Sequence, residues 1–232
     1  MAPTEKSPST PKAKRKAKSA KADTPKPTTI LLVRHGQTPT TGDKLPGRAP
    51  GLHLAPKGQE QALRVAKRIK SLKRVDAVYA SPMERTQETA APIAKAVKRK
   101  VRTEPGVIEC DFGDWTGGSL AKLSKLPEWS TVQRYPSGFR FPNGESFTEM
   151  QTRMTSALSR LATKHPGETI VVVSHADPIK AAVADAMGTH LDLFQRIVVS
   201  PCSVSAIIYT HGGPIVLATN STGNDLSELV PS

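Results

Sequence analysis

The chain of 232 residues has few aromatic residues, few cysteines and no long apolar run. Aromatic residues make up 4% of it, too few for the aromatic-rich surfaces on which proteins stack single-stranded bases. Cys110 and Cys202 lie in no metal-binding spacing, so we expect two buried apolar side chains and a reducing compartment, the cytoplasm. No apolar run approaches the roughly 18 residues that a membrane-spanning helix needs, so we expect no membrane partner.

The charge is strongly basic, with 33 Lys and Arg residues against 20 Asp and Glu residues and a formal net charge of +13. Residues 1–27 carry eight of the basic residues and two acids, among Ala, Pro, Ser and Thr without apolar periodicity. This composition predicts a disordered basic tail, and it has no apolar segment typical of a secretory signal. Two interpretations stay open: contact with nucleic acid or another polyanion, or a solubilising extension.

Residues 28–226 have the composition of one globular domain, and 227–232 are expected to be a frayed C-terminus. Apolar strand-like runs alternate with segments of helical period, which predicts an α/β fold with a largely parallel sheet. The predicted strands are 28–34, 75–80, 100–104 and 169–175, followed by an antiparallel hairpin of 203–210 and 213–220. The predicted helices are 57–72, 82–97, 145–164 and 178–187.

Two of these helices carry start signals. Ser81, Pro82 and Glu84 have the spacing of a capping box, with serine at the N-cap and proline at the first helical position. Asp177 and Pro178 form a similar pair, with the aspartate as the predicted N-cap. Both helices therefore are expected to begin directly after a strand.

Basic and imidazole side chains follow three of the predicted strands. Arg34 and His35 end the first strand, Arg85 lies in the helix after the second, and His175 ends the most apolar strand. Ligands of open α/β sheets bind at the carboxyl ends of the strands, where helix N-termini attract anions. The pattern predicts a site for a doubly charged anion, and phosphate suits the bidentate geometry of arginine.

The histidine after Arg34 indicates catalysis as well as binding. A neutral imidazole can attack phosphorus and hold the phosphoryl group covalently, and nearby arginines keep an imidazole neutral. Arg34, Arg85 and His175 would then face the equatorial oxygens of the transition state, with His35 as the nucleophile.

The leaving alcohol needs a proton, which calls for a carboxylic acid at the rim of the site. Glu109, Asp111 and Asp114 are the candidates, and all lie in the segment VIECDFGDWTGG. The aromatic neighbours Phe112 and Trp115 would raise the pKa of a carboxyl group buried beside them. Spacing alone leaves the choice among the three open.

Five sequence blocks in this order resemble those of the histidine phosphatase superfamily, branch 1, which includes the phosphoglycerate mutases. They span residues 30 to 180, most of the predicted domain. The blocks are LVRHGQT, ASPMERTQETA, IECDFGDWTG, FPNGESFTEM and VVVSHADPIK. The resemblance implies a three-layer α/β/α sandwich of the phosphoglycerate mutase type.

The resemblance also implies a role for each of five residues. His35 would be the phosphorylated nucleophile, and Arg34, Arg85 and His175 would bind the phosphoryl group. Glu109 matches the position of the proton donor, which afterwards activates water as a base. Members of this family use no metal, so no metal site and no cofactor are expected.

The sequence departs from the family pattern around the substrate. Thr41 stands where many members have a phosphate-contacting asparagine, and Asp177 stands where a glycine is usual after the second histidine. We expect substrate contacts from Gln37, Thr38 and Thr41 in the loop after His35. Arg48 is a further candidate for a second anionic group of the substrate.

Three functions follow from these features. The first is a metal-independent phosphatase that hydrolyses a small phosphorylated metabolite through phosphohistidine. The second is a phosphomutase using the same intermediate, since GDKLPGRAPGLHL resembles a subgroup described as probable phosphomutases. The third is a protein that binds nucleic acid or another polyanion through its basic tail. A monomer or a homodimer is expected.

Overall fold

The computed structural model describes residues 26–223. These residues form an α/β fold around a six-stranded sheet. Its strands are β1 (Thr28–Arg34), β2 (Ala77–Ala80), β3 (Val101–Thr103), β4 (Thr169–Ser174), β5 (Val204–Thr210) and β6 (Gly213–Ser221). They lie in the order β3-β2-β4-β1-β5-β6. The first four strands are parallel, and β5 and β6 are antiparallel. The mostly parallel sheet and its late antiparallel edge are therefore confirmed.

Six α-helices accompany this sheet within the described residues, and the four longest cover its two faces. They are α1 (Pro56–Lys70), α2 (Glu84–Ala96), α3 (Leu120–Leu123), α4 (Trp129–Arg134), α5 (Phe147–Lys164) and α6 (Ala176–Ala186). Side chains of a strand alternate between the faces, so Leu31 and Val33 pack with α1 and α2. Ile30 and Leu32 pack with α5 and α6 on the other face. This alternation produces the predicted three-layer sandwich.

Both predicted helix starts are wrong by two residues. α2 begins at Glu84 with Met83 at the N-cap, and the Ser81 hydroxyl bonds to His175 instead of capping the helix. α6 begins at Ala176 with His175 at the N-cap, which puts Asp177 inside the first turn. In both cases a contact in the site takes the place of the local capping pattern.

The register of the central strands brings the predicted site together. β1 and β4 pair in parallel so that Arg34 lies opposite Ser174, and the two histidines that follow them are neighbours. An aromatic cluster that includes Phe112, Trp115 and Phe141 lies in the segment after Glu109.

The predicted tail, apart from its last two residues, and the predicted frayed C-terminus lie outside the described residues. Among helices of residues 26–223, none is long and apolar enough to cross a membrane.

Candidate active site

His35 lies directly after β1 and is held by its own backbone. Its N–H donates to the Ser174 carbonyl at 2.9 Å, and its side chain is almost fully buried. The ring Nδ1 lies 2.7 Å from the carbonyl oxygen of Gly36. A carbonyl only accepts, so Nδ1 carries the proton and Nε2 keeps a free lone pair. This tautomer suits a nucleophile.

Burial lowers the pKa of His35 to about 3, and the charges of Arg85 and Arg34 contribute to the same shift. The cause is the low dielectric of the site, which disfavours an imidazolium, together with two adjacent cations. His35 is therefore neutral at physiological pH.

Arg85 is a fully buried cation and Arg34 a half-buried one, and both have donors left free. Arg34 Nη1 donates to the Val199 carbonyl at 2.7 Å, and Arg85 Nη2 donates to the Gly47 carbonyl at 2.8 Å. Arg34 Nε and both Arg85 Nε and Nη1 are buried and find no partner within residues 26–223. An unpaired buried donor costs free energy, so these N–H groups are suited to an anion.

His175 is fully buried, and its ring lies 5.3 Å from the ring of His35. Its Nε2 lies 2.8 Å from the Ser81 hydroxyl, which also accepts from the Met83 N–H at 3.4 Å. The serine O–H is then free to donate to Nε2, which leaves the proton of His175 on Nδ1. That N–H has no partner among the described residues, so it is available to a phosphoryl oxygen.

Glu109 is the acid that the fold brings to the histidines. Its Oε2 lies 3.7 Å from His175 Nδ1, and its Oε1 accepts from the Cys110 N–H. Burial raises the pKa of Glu109 to about 7, Asp177 adds to the shift, and Arg85 opposes it. A carboxyl group with this pKa is protonated in a large fraction of molecules near neutral pH, as a proton donor requires.

A cavity of about 390 Å³ joins these groups to solvent, and Arg34, His35 and Glu109 line it. Arg85 and His175 are fully buried and do not line it. A larger cavity of about 750 Å³, between α1 and the loop at Ser200, contains none of the predicted site residues. The chemistry of the lining residues, and not cavity size, identifies the site.

The predicted substrate-binding residues fall into two groups. Thr38 and Thr41 line the cavity, where the Thr41 hydroxyl accepts from the Thr38 N–H at 2.8 Å. Gln37 does not line the cavity, and its main chain bonds to Gln61 and to Ala55. Arg48 also lies off the cavity wall.

Arg48 instead holds the segment that carries the acid. Its Nε donates to the Glu109 carbonyl at 2.8 Å, and its Nη2 donates to Glu145 at 3.0 Å. Arg153 pairs with the same Glu145 and donates to the carbonyls of Gly106 and Ile108. Sequence reasoning considered Arg48 only as a substrate contact and missed Arg153, although Glu145 lies within the block FPNGESFTEM.

Asp111 and Asp114 point elsewhere. Asp111 is near Arg48, and both oxygens of Asp114 accept from the amide of Asn143. Within residues 26–223 we find no group of three or more histidine, cysteine or acidic side chains arranged to hold a metal ion.

Comparison with known proteins agrees with this arrangement. The family model of the histidine phosphatase superfamily, branch 1, matches residues 30–222. Phosphoserine phosphatase 1 of Hydrogenobacter thermophilus is 30% identical over 206 residues, which cover 83% of this chain and 92% of that protein. The phosphoserine phosphatase of Entamoeba histolytica, solved with phosphoserine, superposes with a TM-score of 0.78 at 27% identity and covers 86% of this chain and 100% of that one.

The bifunctional protein Rv2228c of Mycobacterium tuberculosis is 31% identical over 201 residues, which cover 85% of this chain. The match spans only 55% of that longer protein. The family model covers most of the domain, and the fold agrees with the solved structure. The chain belongs to the histidine phosphatase superfamily, branch 1.

Proposed function

We propose that the protein is a phosphatase that hydrolyses a small phosphate monoester through a phosphohistidine on His35. One observation carries the proposal: buried donors of Arg34, Arg85 and His175 have no partner among the described residues. All three residues lie around an imidazole whose Nε2 is free. Such donors stabilise the charge of a transferring phosphoryl group without reorganising during the reaction.

In the first step, the lone pair of His35 Nε2 attacks phosphorus, and the bond between phosphorus and the ester oxygen breaks. The leaving oxygen takes the proton of the Glu109 carboxyl, so the alcohol departs neutral. His35 now carries the phosphoryl group on Nε2 and its proton on Nδ1, bonded to the Gly36 carbonyl. The charge on the imidazole is offset by the phosphoryl oxygens.

In the second step, water attacks phosphorus and gives its proton to the Glu109 carboxylate. The bond between phosphorus and Nε2 breaks, and its electron pair returns to the imidazole. Inorganic phosphate leaves, and both His35 and Glu109 are back in their starting states. The Glu109 pKa of about 7 suits both roles, since a group that donates and then accepts a proton works best near neutrality.

A phosphomutase is the alternative, because it would use the same phosphohistidine. Transfer back to the substrate requires a site that keeps water out. The rim of this cavity includes Gly42, Lys44 and Val198, all of which are exposed. Water reaches the phosphoryl group from that side, which favours hydrolysis.

The free cysteines Cys110 and Cys202 are both buried and fit our proposal of a cytoplasmic enzyme.

The experiment compares wild type, His35→Ala and His53→Ala on p-nitrophenyl phosphate. His53 is a matched control because it is an exposed histidine paired with Glu88. We expect at least a 1,000-fold loss of kcat, to order of magnitude, in His35→Ala and no loss in the control. Brief mixing of wild type with substrate, followed by mass analysis of a digest, should detect phosphate on the peptide containing His35.

Full turnover by His35→Ala would overturn the proposal. The alternative is tested with 3-phosphoglycerate: release of inorganic phosphate supports hydrolysis, and movement of the phosphoryl group to the neighbouring oxygen supports a mutase.

A further inference from the structure

Asp177 and Lys180 form a charged pair on the wall of the substrate cavity. Both lie on α6, directly after His175, and both line the cavity together with His35. Lys180 Nζ lies 3.2 Å from Asp177 Oδ1 and 3.0 Å from Gln195 Oε1. Each of the two charged side chains is 18% exposed, so the pair is largely withdrawn from solvent.

A carboxylate in this position opposes the chemistry of the site. The cavity has to receive a phosphate dianion, and Asp177 adds a negative charge to the same wall. Its charge also raises the pKa of Glu109 and of Arg34, which line the same cavity. In this structure Lys180 neutralises that charge from 3.2 Å, so the wall presents one charge of each sign next to the phosphoryl site. Such a wall is complementary to a substrate that carries both a positive and a negative group beside its phosphate.

A zwitterionic group on the substrate would match both charges of this wall. We propose that Asp177 binds an ammonium group and Lys180 binds a carboxylate group of the same substrate, which is therefore an O-phosphorylated α-amino acid. The inference rests on the proposed phosphatase function and names its substrate class. When the substrate binds, its ammonium group would pair with Asp177 and its carboxylate group with Lys180. These contacts would replace the one between Asp177 and Lys180, so neither side chain is left without a partner.

A phosphorylated hydroxy acid fits this wall less well. It presents a carboxylate to Lys180 but only a neutral hydroxyl to Asp177. Once Lys180 pairs with the substrate carboxylate, Asp177 has no cation to pair with. The whole substrate is also more negative by one charge, next to a carboxylate in a partly desolvated site. The two classes are therefore distinguished by one group, the ammonium, and by one residue, Asp177.

Three substrates separate these contributions. Phosphoserine carries both an ammonium and a carboxylate group, 3-phosphoglycerate carries only the carboxylate, and p-nitrophenyl phosphate carries neither. The measured quantity is kcat/KM for each substrate at one pH, in the full chain.

In wild type we expect kcat/KM to be at least tenfold higher for phosphoserine than for 3-phosphoglycerate. In Asp177→Asn this ratio should fall by more than fivefold. Taking a ratio cancels the effect that losing Asp177 has on the Glu109 pKa, because that effect acts on every substrate. Asp185→Asn is the matched control, since Asp185 is an exposed aspartate of the same helix. The ratio should not change there.

Lys180→Met provides a second, independent test. It should lower kcat/KM for phosphoserine and 3-phosphoglycerate more than fivefold relative to p-nitrophenyl phosphate. If Asp177→Asn does not fold, this variant decides alone.

Smaller changes in these ratios, or a wild type that does not prefer phosphoserine, would overturn the inference. Such a result leaves the proposed function standing as long as turnover of p-nitrophenyl phosphate depends on His35. Loss of that dependence would overturn the proposed function instead.

Discussion

Both histidines of the site carry their proton on Nδ1, but different partners leave a different ring nitrogen free in each. A carbonyl accepts from His35 Nδ1 and frees Nε2 for attack, whereas the Ser81 hydroxyl donates to His175 Nε2 and leaves a proton on Nδ1. The first ring is thereby a nucleophile and the second a hydrogen-bond donor. At the scale of single residues, hydrogen-bond partners assign these roles to two chemically identical side chains.

Ser81 is accordingly a positioning residue, and its removal should affect turnover more than folding. In Ser81→Ala the His175 proton is free to move to Nε2, which removes one donor to the phosphoryl group. We expect kcat to fall about tenfold with a smaller change in KM, and Ser81→Thr to restore most of it, since threonine keeps the hydroxyl. Steady-state kinetics on p-nitrophenyl phosphate check this. Equal activity of the alanine and threonine variants would contradict it.

The pKa of Glu109 predicts the pH dependence of the reaction. Cleavage of an alkyl phosphate needs the protonated acid, so kcat/KM should fall as pH rises through about 7. Toward acid, activity should persist until His35 is protonated, near its pKa of about 3. The measurement is a pH profile of kcat/KM for glycerol 2-phosphate. Glu109→Gln should lose the fall near pH 7, and a Gln variant that retains it would refute the assignment.

At the scale of elements, the loop after β1 is positioned by its contact with α1. A Cβ atom on Gly36 would come within 2.6 Å of the Gly58 carbonyl oxygen, and one on Gly58 would come within 2.0 Å of the Gln37 carbonyl oxygen. Neither glycine has a positive φ. Close backbone approach therefore explains these glycines. The start of α1 is therefore in direct backbone contact with the loop that follows the nucleophile.

A second element-scale feature is the arginine clamp, formed by Arg48, Arg153 and Glu145, on the segment that carries Glu109. The Glu145 side chain is only 12% exposed and pairs with both arginines, so Glu145→Gln leaves Arg153 without a carboxylate and Arg48 with Asp111 alone, at 3.6 Å. We expect a loss of about 2 kcal/mol in the free energy of unfolding and a lower kcat. Urea unfolding measures the first quantity. Glu60→Gln, which breaks an exposed pair with Arg64, is the control and should change neither.

At the scale of the whole molecule, charge is distributed unevenly along the chain. Residues 1–25 contain seven basic residues and two acids, whereas catalysis is proposed for the described domain. The Gly167 N–H donates to the Lys26 carbonyl, so a deletion should stop at residue 25. Removing residues 1–25 should abolish salt-dependent binding to duplex DNA and leave phosphatase activity unchanged.

Fluorescence anisotropy at several salt concentrations measures the binding. Equal DNA affinity with and without residues 1–25 would rule out a polyanion-binding tail and favour a solubilising one. The same two proteins should have equal kcat/KM on p-nitrophenyl phosphate.

Local patterns in the chain predict much of this molecule. Apolar runs and helical periodicity predict the strands and helices of the sandwich, because the spacing of apolar residues along the chain indicates which faces of an element are buried. The helix starts at Ser81 and Asp177 are mispredicted because their side chains bond to partners within the site. Arg48 shows the same limit, since its bonds to Glu109 and Glu145 join segments far apart in the chain.

The sequence by itself determined the fold class and, through its five blocks, the family, and it predicted the five residues of the candidate site. Only the tertiary structure decided which of their atoms are free to act. Arg34 finds the Val199 carbonyl 165 residues away, Arg85 finds Gly47 38 residues away, and His175 finds Ser81 94 residues away. Whether a buried donor is satisfied depends on such distant partners, and no local pattern records them.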